Sequence, residues 1–519
     1  MSLISRIGTA ARIIFGRPAG KRAFNGAQGG RLYADWMTGA TSSDAEIRGS
    51  FRKLLDRSRD LERNNDYQRG YLGDCEDNIV GSIRQDLRMD CGEYVSGKGK
   101  DRAPVWQPDR LANTIIENAW LEWGKRGTCT VCGRYSWRDL KRLAVRTVPR
   151  DGNFLARKIY GAASGNRFGF ALQIWEIDHL DLNKFQTLAD GSEIRFGIER
   201  DPQGRVAAYW MMARHPGDMG GSFTSSTSTR FLASEVYHAF VTERAEQSIG
   251  LPWCVSAITR LRQLGAFEEA AVIAARLGAS KAGFFKTTGQ GEWTGETGAD
   301  GRAVMSAEPG QFEQMPEGWD LAQWNPEYPN IETSEFRKAM LRGVATSLGT
   351  SYTTLGNDLE SVNFSSARVG LFDERETWKK HQLFFDECLW EPIFGDWLST
   401  SMTSGAVNLP LSKFEKFNRP RFKGRRWPFI DPLKEIEAAK GAIALRLGSR
   451  RQFIEEGGGD VEDVFHDNVE DEKLADDIGL DLSPPPIEST PSAIAAAAAA
   501  ASADEAAASA PAKGAKTGG

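Results

Sequence analysis

PWCVSAITRLRQLGAFEEAAVIAARLGASK, residues 252–281, is the stretch on which the fold turns. Helical periodicity returns here after a long strand-like region, and Pro252 stands where the first turn of a helix tolerates proline. The predicted helix is longer than the usual run of roughly 8–20 residues, so it needs a special role. A second predicted helix, TSEFRKAMLRGVATSL, covers 333–348, with Thr333 or Ser334 as its cap and Glu335 in its first turn. Between them lies a Gly-rich insert, 282–332, with nine acids against Lys286 and Arg302 and with strand-like pieces GFFKTT and RAVMSA. Two helices flanking such an insert pack as a pair with the insert at one end. The polar loop GTSYTTLGNDLESVN (349–363) then emerges at the other end, beside a long predicted helix, SSARVGLFDERETWKKHQLFFDECLWE (365–391). Arg375, Glu376, Lys379 and Lys380 are expected on the solvated side of that helix.

Upstream, residues 1–45 are rich in Gly, Ser and Ala, with Arg6, Arg12, Arg17, Lys21 and Arg22 and no acid in the first 22 positions. They read as a basic arm, either disordered or an amphipathic helix touching acidic groups. A helical stretch begins near Asp44, and 51–83 reads as two helices broken at Asn64-Asn65. Further helices are predicted over 108–123, with Leu111, Ile115, Ile116, Ala119 and Trp120 on one face, and over 136–148, with Ser136 as N-cap and Asp139 at N3. Residues 151–240 change to short apolar runs separated by Gly, Asn, Asp and Pro, a strand-and-turn texture. At the far end, 432–454 reads as a helix pair around Gly448 with Ser449 as N-cap. Residues 460–481 hold ten acids and one lysine, and from 483 the chain is Ala- and Pro-rich low complexity.

With 519 residues the chain exceeds one core, and two to four structural units are expected. Its 65 basic and 70 acidic residues give a net charge of −5, which is no whole-chain footprint for nucleic acid. Six cysteines are too few for a disulfide scaffold and fit thiols in a reducing compartment. No apolar run reaches the roughly 20 residues of a membrane span, and the N-terminus makes a poor secretory signal.

Catalytic and metal signatures are weak. Cys129-Thr130-Val131-Cys132 has the spacing of half a zinc site, yet no second half follows, and nothing in the spacing demands that Cys75 and Cys91 complete it. Asp178, His179 and Asp181 as an acid–base set are explained better by a turn after a strand. The run Gly217–Ser222 lacks the ending of a phosphate loop. No cofactor is expected, and the residues point to a structural or binding protein rather than an enzyme.

Four segments carry a family likeness: LERNNDYQRGYLGDCEDNIVG (61–81); EVYHAFVTERAEQSIGLPWCVSAI (235–258), with Arg244, Gln247 and Gly250; EPGQFEQMPEGWDLAQWNPEYPN (308–330); and ATSLGTSYTTLGNDLESVNFSSARVGLFDERETW (345–378). In this order and spacing, across roughly 50–455, the sequence resembles the portal proteins of tailed bacteriophages, the lambda-like family. The resemblance implies an α+β, multidomain subunit with wing, helical stem, small β-containing clip and helical crown, assembling as a ring of twelve. It places a flexible arm at 1–45, the wing at 46–250, stem helices at 251–281 and 333–349, and the clip at 282–332. The tunnel loop falls at 350–363, the long helix and wing return at 364–429, the crown with its acidic end at 430–482, and a disordered tail at 483–519.

The function so implied is a head-to-tail connector at one capsid vertex, located in the virion and, during assembly, in the host cytoplasm. Double-stranded DNA would pass through its channel without sequence specificity. Terminase and then a head–tail adaptor would dock on it, with the major capsid and scaffold proteins as neighbours and no membrane. Expected channel residues are Thr353, Asn357, Asp358, Glu360, Ser361 and Asn363, a stretch without a cation before Arg368. A sliding sleeve favours this, because each neutralised phosphate adds affinity. Glu292, Glu296, Asp300, Glu313, Glu317 and Asp320 would dock basic partner surfaces, and Arg260, Arg262, Arg276 and Lys281 mark the stem. The competing readings are a metal-dependent enzyme using Cys129, Cys132 and His179, and a peripheral membrane or adaptor protein acting through the basic arm. Stoichiometric zinc would favour the first of these; liposome binding lost on deleting 1–25 would favour the second.

Overall fold

The structure is a computed structural model. It describes residues 39–82, 86–96, 104–218, 227–279, 283–287, 299, 319–323, 331–359, 364–427, 430–457, 459 and 461–480. The chain divides into two compact units, Met1–Arg425 and Arg426–Gly519.

The first unit opens with three helices: α1 (Ser43–Arg48), α2 (Phe51–Asn64) and α3 (Asp66–Cys75), the last running on into a π turn, Glu76–Val80. The expected break at Asn64-Asn65 is where α2 ends. Asn65 becomes the N-cap of α3, its side chain accepting from Gln68 N–H at 3.0 Å. A short strand β1 (Leu87–Met89) and a hairpin, β2 (Gly92–Ser96) and β3 (Pro104–Pro108), lead to α4 (Arg110–Trp123) and α5 (Trp137–Asp151). Ser136 caps α5 in a full capping box with Asp139, as the sequence predicts. The expected face of α4 needs correction: Leu111 is exposed, and Ala112, Ile116, Ala119, Trp120 and Trp123 form the buried stripe.

The strand-and-turn region resolves into two sheets. β4 (Phe154–Tyr160) lies between β5 (Phe170–Trp175) and β11 (Val236–Ala239), antiparallel to both. A five-stranded meander joins β6 (Gln186–Thr187), β7 (Glu193–Arg195), β8 (Ile198–Arg200), β9 (Val206–Met211) and β10 (Thr229–Leu232) in sequence order. Leu155, Ile177, Leu180, Phe196, Ile198 and Met211 close a core between these strands and Phe51 and Leu55 of α2.

After β11 the chain makes a turn over 253–257 and enters α6 (Ile258–Ala279). The predicted helix at 252–281 therefore starts six residues later. Trp253 N–H bonds back to Pro149 O at 2.9 Å, which holds the turn against α5. Beyond α6, β12 (Gly283–Thr287) pairs antiparallel with β13 (Trp319–Gln323), and α7 (Ile331–Leu348) follows. Because α7 begins at Ile331, Thr333 and Ser334 lie inside it and cap nothing. GFFKT (283–287) thus pairs with WDLAQ, and RAVMSA lies outside the described residues.

The predicted loop contains a helix, α8 (Tyr352–Gly356), capped by Ser351, whose hydroxyl accepts from Thr354 N–H at 3.1 Å. The long helix α9 spans Phe364–Phe385, continues through a π turn at Asp386–Trp390, and runs straight into α10 (Glu391–Thr403). The sequence reading stopped it at 391, twelve residues and more than three turns too early; Pro392 interrupts nothing because it stands where proline fits a first turn. Glu376, Lys379 and Lys380 are exposed on α9, as expected, whereas Arg375, beside the buried Glu374, is half-buried. A short helix, α11 (Phe414–Phe417), and β14 (Pro420–Phe422), paired with β1, return the chain to the first helices.

A tryptophan-rich cluster locks this return. Trp120 lies 4.7 Å from Trp123, 5.0 Å from Trp137 and 4.9 Å from Trp397 between ring centroids, with Trp390, Phe394 and Phe422 around them. Such rings bury roughly 150–250 Å² each and prefer the tilted and edge-on arrangements found here.

In the second unit, α12 (Pro432–Ala444), α13 (Arg450–Glu456, capped by Ser449) and α14 (Val461–Ile478) are all helical. The acidic run is therefore helical from Val461 to Ile478, which its charge alone did not announce.

Candidate functional site

The root of the helix pair α6–α7 is apolar and buried. Ile258, Leu261 and Leu264 of α6 and Leu341, Val344, Ala345 and Leu348 of α7 lose almost all solvent contact. Tyr71 of α3 donates from its buried hydroxyl to Leu348 O at 3.1 Å, and Tyr67 donates to Glu268 at 3.2 Å. Farther along, Phe267 meets Phe336 edge-on at 5.0 Å, while Val272, Ile273 and Phe336 are about half exposed. The pair is thus seated on the body at one end and stands out from it at the other. The β12–β13 ladder lies between the distal ends of the two helices in the chain.

The four cations expected on this pair separate. Arg260 lies against α7: a Cβ on Gly343 would fall within 1.6 Å of its Nη1, so the absent side chain makes room for the guanidinium. Arg262 and Arg276 are exposed on α6, and Lys281 lies outside the described residues. Of the six expected docking acids, Asp320 sits on β13 opposite Lys286, and Glu292, Glu296, Asp300, Glu313 and Glu317 lie outside the described residues.

The loop after α7 is anchored, not free. Glu374 of α9 is 7% exposed and accepts from Thr350 Oγ1 at 2.9 Å, Thr354 Oγ1 at 2.9 Å and Trp378 Nε1 at 3.3 Å. Leu355 fills the space beneath α8. Asn357 ends α8 in the left-handed region, at φ 47°, a conformation asparagine tolerates better than most residues. Tyr352 donates to Asp358 at 2.6 Å, and burial together with that carboxylate pushes the phenol up to about 12. Thr353 lies on α8 itself, while Glu360, Ser361 and Asn363 lie outside the described residues. Asp74 of α3 faces the same region, and burial, with Glu374 and Asp77 nearby, pushes its carboxyl up to about 6. Sequence reasoning missed Glu374, Thr350, Thr354 and Tyr71. The Ser351-x-x-Thr354 spacing hints at a capped turn, and Trp378 stands one helical turn from Glu374; the threonine and Tyr71 contacts join residues 20 or more positions apart.

The features considered for chemistry have structural roles. Burial pushes the Cys91 and Cys129 thiols up to about 12; they donate to Phe417 O and Tyr135 O. Cys132 is exposed, and among the described residues no cysteine joins a group of three or more metal-ligating side chains. Asp178 is buried with one oxygen 2.5 Å from Arg52 and the other 2.6 Å from Arg59; although burial pushes its carboxyl up, these cations hold it below its ordinary range. His215 reaches the edge of this network, 3.2 Å from Glu176. His179 donates from Nδ1 to the Met212 carbonyl at 3.0 Å. Asp178 and His179 thus sit in a salt-linked turn, the reading preferred from the sequence over an acid–base set, with Arg59 also paired to Asp151 at 2.9 Å. Among the described residues no helix is long and apolar enough to cross a membrane.

The Arg244, Gln247 and Gly250 pattern has a geometric meaning. Gln247 accepts from the Glu243 and Arg244 amides and donates to Ile249 O at 2.8 Å, tying its own loop together. Arg244 pairs with Glu46 of α1 at 2.7 Å. Gly250 approaches Gly152 so closely that a Cβ would lie 2.2 Å from the Gly152 carbonyl oxygen.

Known proteins resemble this chain over most of its length. The probable portal protein of Halomonas phage phiHAP-1 is 29% identical over 472 residues, covering 89% of this chain and 88% of that protein. Portal protein B of Escherichia phage lambda is 21% identical over 481 residues, covering 85% and 87%. A chain from the neck of an empty GTA particle superposes with a TM-score of 0.38 at 12% identity, covering 79% of this chain and 94% of its own. Residues 29–382, well over half of the sequence, match the family of lambda-type phage portal proteins, and the chain belongs to that family.

Proposed function

We propose that the chain is the subunit of a ring of twelve copies at the capsid vertex of a tailed phage, through which double-stranded DNA enters and leaves. The observation that carries this reading is the helix pair α6–α7, rooted in the body, with a strand pair between its distal ends and a pinned loop at its base. In this reading α6 and α7 are the stem, and 282–332 is the clip that docks terminase and later a head–tail adaptor. Residues 350–363 form the tunnel loop, 46–250 with 364–429 the wing, and 430–482 the crown. The part-exposed Val272, Ile273 and Phe336 of the stem find apolar partners in neighbouring subunits.

The channel role needs weak contact with the duplex, since each phosphate neutralised makes sliding slower and more salt-dependent. The residues from Gly349 to Asn363 offer Asp358 and Glu360 and no cation. The anchoring of α8 on Glu374 supports a loop whose base is fixed while its tip, beyond Asp358, meets DNA. The role is structural, without catalysis. The test is the oligomeric mass of the purified chain, with negative-stain images. Rings of about twelve subunits with a central hole are expected; a monomer or dimer stable across concentration and salt would overturn the reading.

A further inference from the structure

β5 is an outer strand of its sheet, and its free edge is only partly covered. Leu172 N–H donates to Cys129 O at 2.9 Å, and Val131 N–H donates to Leu172 O at 3.0 Å, so Leu172 turns its backbone groups away from β4. Alternation along a strand then turns Phe170 and Ile174 the same way. The Phe170 carbonyl is occupied by Trp123 Nε1 at 2.9 Å and Asn166 Nδ2 at 2.8 Å. Ile174 has no such partner. The segment 129–131 pairs with β5 in parallel at Leu172, and continuing it would bring Gly133 to Ile174. Instead Gly133 takes φ +65° and returns its N–H to Thr130 O at 3.0 Å. The covering strand leaves the edge one pair early.

Where it leaves, a cleft of about 570 Å³ opens between β5 and α5, with Val131, Cys132, Arg134, Tyr135, Ile174 and Glu176 in its lining. The Ile174 N–H and C=O face this space without a backbone partner among the described residues. Arg134 is exposed and has no ion-pair partner among the described residues; Glu176, also in the lining, lies 3.2 Å from the His215 ring. The edge thus offers a strand-shaped backbone template beside one unmatched positive charge.

We propose that this cleft docks an extended peptide segment of a partner protein, which continues the 129–131 pairing along Ile174 and sets a carboxylate against Arg134. Main-chain hydrogen bonds at an exposed edge supply affinity in this mode, and flanking side chains supply selectivity. The proposal uses none of the residues assigned to the stem, the clip or the tunnel loop, so it does not depend on the channel role.

The probe is a capped hexapeptide of alternating valine and glutamate, titrated against the full-length protein by fluorescence anisotropy. Hydrogen exchange at the Ile174 amide is followed in parallel. Binding is expected to slow that amide at least tenfold at saturation. The Arg134→Ala variant, an exposed change that leaves folding intact, should bind at least tenfold more weakly, as should a peptide with lysine in place of glutamate. Methylating alternate peptide nitrogens should abolish binding. Equal binding of the methylated or lysine peptide would overturn the proposal. So would an Ile174 amide already protected in the assembled protein with no peptide bound, which would mean that a neighbouring copy occupies the edge.

Discussion

Replacing Glu374 by alanine removes the single carboxylate that fastens α8 to α9. Two of its three donors are themselves buried: Thr350 is 8% exposed and Trp378 2%. The third, Thr354, is half-buried and finds water once the carboxylate is gone. A buried donor left without an acceptor costs about 1–3 kcal/mol, so two of them sum to about 2–6 kcal/mol. Loss of a buried charge that repels Asp74 offsets part of this, and about 3 kcal/mol is the expected net cost to the attachment of the loop. That figure corresponds to roughly a hundredfold rise in local opening. The assay is hydrogen exchange at Leu355 and Asn357, whose amides bond to Ser351 O at 3.0 Å and Thr354 O at 3.4 Å. Their exchange should speed up by that factor in Glu374→Ala, while the amides of β4 stay unchanged. Parental exchange rates over 350–358 in the variant would refute the idea that Glu374 holds the loop.

Three further outcomes test other parts of the fold. Lys141 and Asp86 form a buried ion pair, and Trp137 Nε1 also donates to Asp86, at 3.2 Å. Asp86→Ala strands the ammonium and should cost about 3–5 kcal/mol in denaturant unfolding; adding Lys141→Met should recover most of it, and a double variant as unstable as the single one would contradict this. Gly250→Ala drives a methyl into the Gly152 backbone and should cost at least about 3 kcal/mol, so a melting temperature within about 2 °C of the parent would exclude the close approach. Asp74 titrates near 6 when folded against an ordinary value of 3.8. The folded state therefore binds more protons between these values, so this group favours folding below about pH 4 and loses that contribution as pH rises through 6. Since the group is only half-buried, Asp74→Asn should stabilise the protein at pH 7 by about 1 kcal/mol rather than the full shift, and should flatten stability between pH 4 and 6; a loss of stability at pH 7 would show the reverse sign.

The caps show how far local sequence reaches. Ser136 with Asp139, Asn65 after Asn64, and Ser449 after Gly448 each start a helix where their spacing says, because a cap is satisfied within three residues of itself. Ends set by tertiary contact were misplaced. The turn over 253–257 is held by Pro149, about a hundred positions upstream, and α7 begins before the residues that look like its cap. Leu111 read as core because it fits the helical stripe, yet the stripe that counts is the one facing Trp137 and Trp397, and nothing local marks it.

The sequence by itself determined the order of the parts: a helical entry, a strand region, two helices around an insert, a polar loop and a long helix, with four segments that carry the family likeness. Periodicity, caps and turn residues are short-range, so they survive reading along one dimension. Only the tertiary structure decided what fastens those parts together. The Trp120 cluster, the Glu374 anchor, the Gly152–Gly250 contact and the open edge at Ile174 each join residues far apart in the chain. Their energies come from desolvation and from donors finding acceptors across the fold, and neither has a local signature.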